Sequence, residues 1–355
     1  MKSTSTFLAA TDGKRLAVRS RVPDAVRVLG SPARPEHVPS DDGGERAVRE
    51  APALRVSTDG APEPGSPRAV LQVVHGMAEH SGRYRRLAAA ACARGLAVVA
   101  DDHRGHGATI AADDERGHTG DASSWRQLLR DQDVVCDEIA RTWPDAPVIL
   151  LGHSWGSLIV RGSLARCDRR RVVGAVVMGT AGDPGALGRV GRLLALAEAR
   201  ARGPRHPSAV LESQIIAPYN APFAPARTVV DWLTRDESEV SSYLADPLCG
   251  FTCTAGFYRD LLEAGLAVSS SRAFESIPCD LPLLVASGAE DPVGGAGKGV
   301  TEVATRMRRA GVRDVTLRLY PGARHELLNE TNREEVTRDL LAWVEEHLPE
   351  RRLTA

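Results

Sequence analysis

The sequence predicts an α/β fold: a mostly parallel eight-stranded sheet with helices on both faces and a helical cap inserted after strand 6. Three observations carry this. From Ala69 onward, short apolar runs alternate with amphipathic stretches, as in parallel strands covered on both faces. The pentapeptide Gly152-His153-Ser154-Trp155-Gly156 directly follows the apolar run Val148-Ile149-Leu150-Leu151, the setting of a sharp strand-to-helix turn. Between Gly182 and about Gly256 the sheet rhythm stops.

Ser5 to Ala10 and Leu16 to Val22 flank the turn-forming Thr11-Asp12-Gly13-Lys14 and predict an opening β-hairpin. Residues 24–67 are rich in Pro, Gly, Ser, Asp and Arg and bury too little apolar surface to offset their ordering entropy. We expect a disordered insertion between strands 2 and 3, with strand-like pieces near Val26 to Leu29 and Ala53 to Val56. Then follow a strand Ala69 to Val74, a helix Tyr84 to Arg94, a strand Ala97 to Ala100 and a helix Trp125 to Trp143 with its inner face at Leu128, Val135, Ile139 and Trp143. After Ser154 a helix is expected to about Asp168, then a strand Val172 to Met178. The stretch 182–256 holds a Leu/Ala/Arg helix near Val190 to Ala201 and the aromatics Tyr219, Phe223, Trp232 and Tyr243. Their first duty is packing this cap onto the core, with lining of an acyl pocket as the alternative. The alternation resumes with a strand Leu283 to Ser287, a helix Gly299 to Arg309, a strand Val315 to Tyr320 and a last helix carrying Val336, Leu340, Val344 and Leu348. The whole chain, 1–355, reads as a single domain.

The formal net charge is −1, which leaves no excess positive charge to hold a nucleic acid and allows at most transient contact with a membrane surface. The six cysteines are scattered and form no disulfide framework, and Cys249 and Cys253 lack the further ligands of a zinc site. With neither a signal peptide nor an apolar run of ~18 residues, the expectation is a cytoplasmic, reduced protein. Oligomeric state is not readable.

A serine hydroxyl is a weak nucleophile at neutral pH, so Ser154 requires a general base and an acid that orients the base. Asp291 follows the apolar strand Leu283-Leu284-Val285-Ala286, with Glu290 beside it as the fallback acid, and His325 lies just past the strand ending at Tyr320. The order Ser154, Asp291, His325, each at a strand end, is that of a Ser-acid-His triad on this kind of sheet. The negative charge that develops on the substrate oxygen requires backbone N–H donors; Trp155 and Met77, in the loop after the third strand, are the candidates.

Three blocks, His75-Gly76-Met77-Ala78-Glu79-His80-Ser81-Gly82-Arg83-Tyr84, Asp102-His103-Arg104-Gly105-His106-Gly107 and Gly152 to Ser157, resemble the monoacylglycerol lipase and lysophospholipase-like branch of the α/β-hydrolases, also called the serine aminopeptidase S33 or Hydrolase_4 group. The resemblance covers about Phe7 to Val22 and Ala69 to Leu348; residues 24–67 have no counterpart in it. It implies an α/β-hydrolase fold and a serine hydrolase that cleaves carboxylic esters of lipid-like substrates through an acyl-enzyme, with no cofactor. It also implies that Glu79 and Arg83 lie at the head-group end of the pocket, as substrate-binding residues. His103-x-x-His106 beside Asp101 and Asp102 then reads as a loop supporting the rim of the site, and no metal is expected. Peptidase or thioesterase activity on the same scaffold, or a receptor-like protein with negligible turnover, are the alternatives.

Overall fold

β1 (Lys2–Ala9) and β2 (Arg15–Val22) form the expected hairpin, with Gly13 at φ 83 in the turn. The computed structural model describes residues 1–24 and 66–349. The expected excursion, with its strand-like pieces near Val26 and Ala53, therefore falls almost wholly outside the described residues. β3 (Val70–Val74), β4 (Ala97–Asp102), β5 (Val148–His153), β6 (Val172–Met178), β7 (Leu283–Gly288) and β8 (Val315–Tyr320) complete an eight-stranded sheet. Its order is β1-β2-β4-β3-β5-β6-β7-β8, parallel from β4 to β8 and antiparallel through β1 and β2.

Helices cover both faces. α1 (Arg85–Ala93) follows a short 3-10 turn at Ser81–Tyr84, so the α-helix begins one residue later than the sequence suggests. α2 (Trp125–Thr142) buries Leu128, Val135 and Ile139, and Trp143 beyond its end, as the helical spacing predicts; each such side chain contributes ~1.5–3 kcal/mol. α3 (Trp155–Ser163) stops short of Asp168: Arg166 N–H turns back to Ser163 O, and Asp168 O accepts the N–H of Arg171 and Val172 to start β6.

All of the regular structure between β6 and β7 is helical: α4 (Gly185–Arg202), α5 (Ala209–Ile215), α6 (Glu237–Ala245), α7 (Ala255–Val268) and α8 (Ser271–Glu275), with 3-10 turns at Ala217–Phe223 and Asp231–Leu233. α9 (Lys298–Arg309) and α10 (Arg333–Glu346) close the chain. One apolar core unites the sheet with α2, α3, α7 and α9, and a second unites it with α1 and α10. Because β3 and β5 to β8 run parallel, the loops after β3, β5, β7 and β8 open on one edge of the sheet, where substrates of such sheets bind.

Candidate active site

β5 ends at His153 and α3 begins at Trp155, so Ser154 alone makes the turn, at φ 51 and ψ −119. A serine in that region costs ~1–3 kcal/mol and persists only where its surroundings impose it. Here its N–H donates to Met178 O (2.9 Å), and its carbonyl accepts from Ser157 N–H (2.9 Å) and Ser157 Oγ (2.5 Å). The two glycines of the pentapeptide have separate reasons. A Cβ on Gly152 would strike the carbonyl of Gly156, and one on Gly156 would strike the carbonyls of Val74 and His75.

His325 Nδ1 donates to Asp291 Oδ1 (3.0 Å), which also accepts Val293 N–H (2.9 Å), while Asp291 Oδ2 accepts the Ser287 hydroxyl (2.7 Å). Burial works to raise the Asp291 carboxyl, but the His325 ring and the Ser287 and Val293 donors outweigh it, and the group sits below its ordinary value. Glu290, the fallback acid, is exposed. The loop carrying His325 is held by Arg324 N–H to Glu330 Oε1 (2.9 Å) and Glu326 N–H to Leu233 O (2.7 Å). A Cβ on Gly288 would strike the carbonyls of Ala323 and Arg324, so the end of β7 presses directly on this loop.

Among the described residues, no protein acceptor takes the N–H of Met77 or Trp155, and no hydrogen bond holds the Ser154 hydroxyl. The loop carrying Met77 rests on the histidine block. His106 Nε2 accepts Ala78 N–H (3.1 Å) and its Nδ1 donates to Arg104 O (2.9 Å), while His103 donates to Asp101 (2.9 Å) and to His75 O (3.1 Å). Burial pushes His106 down to about 4 and His75 well below the usual imidazole range, so both are neutral. Burial opposes charge on His103, but the charge and hydrogen bond of Asp101, with the His75 carbonyl and Asp102, together raise it.

Two cavities meet at Ser154. One of about 120 Å³ is apolar, lined by Leu158, Ile215, Ile216, Leu262, Trp232 and Val293 among others. The second, about 70 Å³, is bordered by Ser154, His325, Glu79, Glu212, Tyr243 and Tyr258. A larger cavity of about 230 Å³ lies between α2, α3 and the sheet and includes neither Ser154 nor His325. It has thiols and carboxylates but no histidine, so size alone does not mark the candidate site.

A family model described as serine aminopeptidase, S33 (Hydrolase_4) matches residues 65–332. The chain belongs to this family. A monoacylglycerol lipase of Mycolicibacterium smegmatis is 31% identical over 323 residues, covering 90% of this chain and 99% of its own. The monoglyceride lipase of Homo sapiens is 30% identical over 292 residues, covering 82% and 86%. A thermostable carboxyl esterase of Bacillus coagulans, solved with glycerol, shares the fold at a TM-score of 0.79 and 23% identity, covering 98% of this chain and 100% of that one.

Within this hydrolase fold the structure brings Ser154, His325, Met77 and Trp155 to the two cavities, with Asp291 behind His325. It does not bring Arg83 there. Arg83 forms a bidentate pair with Glu326 (2.5 and 2.7 Å) and a bond to Glu79 (2.9 Å), in a small recess that shares Glu79, His153 and Glu326 with the second cavity. Of the aromatics, Tyr219 lines the apolar cavity, Trp232 both cavities and Tyr243 the second, whereas Phe223 packs under the Arg324 guanidinium, 4.0 Å from the ring centre. Sequence reasoning missed Leu261 and Leu262, which reach the apolar cavity from α7, and Glu326 and His153, which neighbour His325 and Ser154 in the chain. Among the described residues His80, Asp246 and Cys249 come within 4.8 Å of one another. His80 Nδ1 accepts Gly82 N–H, which leaves Nε2 as a donor to Asp246 (2.9 Å) and unfit to ligate a cation.

Proposed function

We propose that this α/β-hydrolase cleaves the carboxylic ester of a monoacylglycerol or lysophospholipid, with Ser154 as nucleophile, His325 as general base and Asp291 as its orienting acid. The observation that carries the reading is the meeting of the two cavities at Ser154. The apolar one suits an acyl chain, and the second, mixed in lining but bordered by Glu212, Tyr258 and His325, suits the alcohol that leaves.

His325 Nε2 takes the Ser154 proton as Oγ bonds to the ester carbonyl carbon, whose π electrons move onto oxygen. The Met77 and Trp155 N–H groups receive that oxyanion; one such donor contributes ~2.7–4 kcal/mol of transition-state stabilisation. As the intermediate collapses, the C–O bond to the alcohol breaks and His325 returns its proton to the alcohol oxygen. Water then attacks the acyl-serine, its proton passing to His325 and on to Ser154 Oγ as the acid departs. Asp291 holds the Nδ1–H tautomer throughout and remains ionised.

Residues 182–256 serve as the cap in this reading. Leu187 (85% exposed), Val190 (54%) and Leu194 (57%) form an outward stripe on α4 at i, i+3 and i+7. Such a stripe suits transient contact with a lipid surface, from which the substrate is drawn. The test is a hydrolysis panel of monoacylglycerols, lysophospholipids, aryl esters and aminoacyl amides with Ser154→Ala as control. Turnover of long-chain monoacyl lipids that the variant abolishes supports the reading; preference for the amides, or an active Ser154→Ala, rejects it.

A further inference from the structure

Glu79 is 3% exposed, and both of its oxygens are occupied. Oε1 accepts Gly76 N–H (2.6 Å), the Tyr84 hydroxyl (2.9 Å) and His153 Nδ1–H (3.2 Å), and Oε2 accepts Arg83 (2.9 Å). A carboxylate has about four acceptor sites; three donors crowd Oε1 and the Arg83 guanidinium holds Oε2, so at most one site on Oε2 remains for a substrate hydroxyl. His153 in turn reaches the base loop, with Nε2 3.3 Å from the His325 carbonyl oxygen and the two rings 4.8 Å apart. Both His153 nitrogens therefore face oxygens that only accept, the arrangement of an imidazolium with two donors. Burial opposes that charge, but the bond to Glu79, the charges of Glu79 and Glu326 and the His325 carbonyl together outweigh it and raise the group above its ordinary value.

The neighbouring glycines show how closely these parts meet. A Cβ on Gly76 would lie 2.7 Å from Glu79 Oε1, 3.2 Å from His153 Nδ1 and 3.3 Å from Ser154 Cβ. One on Gly179, at φ +59, would lie 3.2 Å from His325 Cε1 and 3.3 Å from His153. The Glu79 carboxylate thus fixes the peptide just before the Met77 N–H, and through His153 it fixes the backbone of the base. Arg83 closes the circuit from Glu79 to Glu326, the residue after His325.

We propose that Glu79 and His153 are a buried positioning pair that holds the Met77 loop and the His325 loop in register, acting on every ester rather than binding the head group. The inference rests on the assignment of Ser154, His325 and Met77 above. A displacement of about 1 Å at a reacting centre costs on the order of 100-fold in rate, which is the scale expected when the brace is cut.

The experiment compares a monoacylglycerol with an aryl ester of the same acyl chain, using Glu79→Gln, His153→Leu and the double variant. Each single variant should lower kcat roughly 10- to 100-fold on both esters with KM nearly unchanged, and the double should lose little more than the worse single. His153→Gln, which restores one donor, should recover part of kcat. Tyr84→Phe removes one bond to Glu79 without removing charge; should Glu79→Gln fail to fold, it serves in its place, with a smaller kcat loss on both esters. Losses confined to the monoacylglycerol and expressed in KM would make Glu79 a head-group ligand and overturn the proposal, as would additive losses in the double variant. Turnover by Ser154→Ala, measured alongside, would instead reject the parent assignment.

Discussion

In the proposed triad, replacing Asp291 by asparagine separates the charge of the acid from its orienting role. Oδ1 accepts two N–H groups, His325 Nδ1 and the backbone of Val293, while Oδ2 accepts only the Ser287 hydroxyl. An asparagine that turned its NH₂ toward Val293 would face a fixed donor with a donor, leaving a buried group unpaired at ~1–3 kcal/mol. The opposite orientation places the amide oxygen at the Oδ1 position and the NH₂ against Ser287, whose hydroxyl rotates to accept it. The His325 tautomer is then preserved, and only the carboxylate's charge is lost. Converting a charged hydrogen bond into a neutral one and weakening support of the imidazolium costs ~1.5–3 kcal/mol, or roughly 10- to 150-fold in kcat. An inverted tautomer costs on the order of 10⁴-fold. The assay is steady-state hydrolysis of an aryl ester by Asp291→Asn and Asp291→Ala, with thermal melts to verify folding. A loss near 10⁴-fold in the asparagine variant, equal to that of the alanine variant, would refute the reasoning.

Other predictions concern acid stability, the base loop and the lipid contact. His106 is buried neutral with its value near 4 against an ordinary 6.5. The unfolded chain therefore binds more protons between those values, and stability falls with falling pH, by roughly 2–3 kcal/mol from this group by pH 4.5. His106→Gln should flatten that decline in denaturant titrations at pH 7 and 4.5, and an equal decline in both proteins would contradict it. Gly288→Ala should cost about 1–3 kcal/mol by overpacking and lower kcat as well, because its methyl group meets the carbonyls of Ala323 and Arg324 beside His325; an unchanged melt and kcat would dismiss that contact. Leu187→Ser with Leu194→Ser should weaken sedimentation with phospholipid vesicles while leaving turnover of a water-soluble ester intact, and unchanged sedimentation would remove α4 from the lipid contact.

The sheet was legible because its buried strands are apolar on both faces, so Val70 to Val74 and Val148 to Leu151 stand out without periodicity. That Ser154, Asp291 and His325 follow strands was legible too, the first two after such runs and His325 after the half-buried edge strand Val315–Tyr320. Glu79 and Arg83 were assigned from resemblance, and their setting was not legible. The carboxylate that occupies Arg83, Glu326, lies 243 residues away, and nothing local records the pairing. The extent of the apolar cavity was missed because Leu261 and Leu262 sit on α7, beyond Gly256, in a helix that also packs on α3 and α4. The end of α3 at Ser163 depends on the turn at Asp168, which apolar spacing alone does not reveal.

The most direct test of the central claim is to quench the enzyme in acid during steady hydrolysis of a long-chain aryl ester and map the acylated peptide by mass spectrometry. An acyl group on Ser154 is expected, absent from Ser154→Ala, which should also have lost turnover. An acyl group on another residue, or turnover that survives in Ser154→Ala, would contradict it.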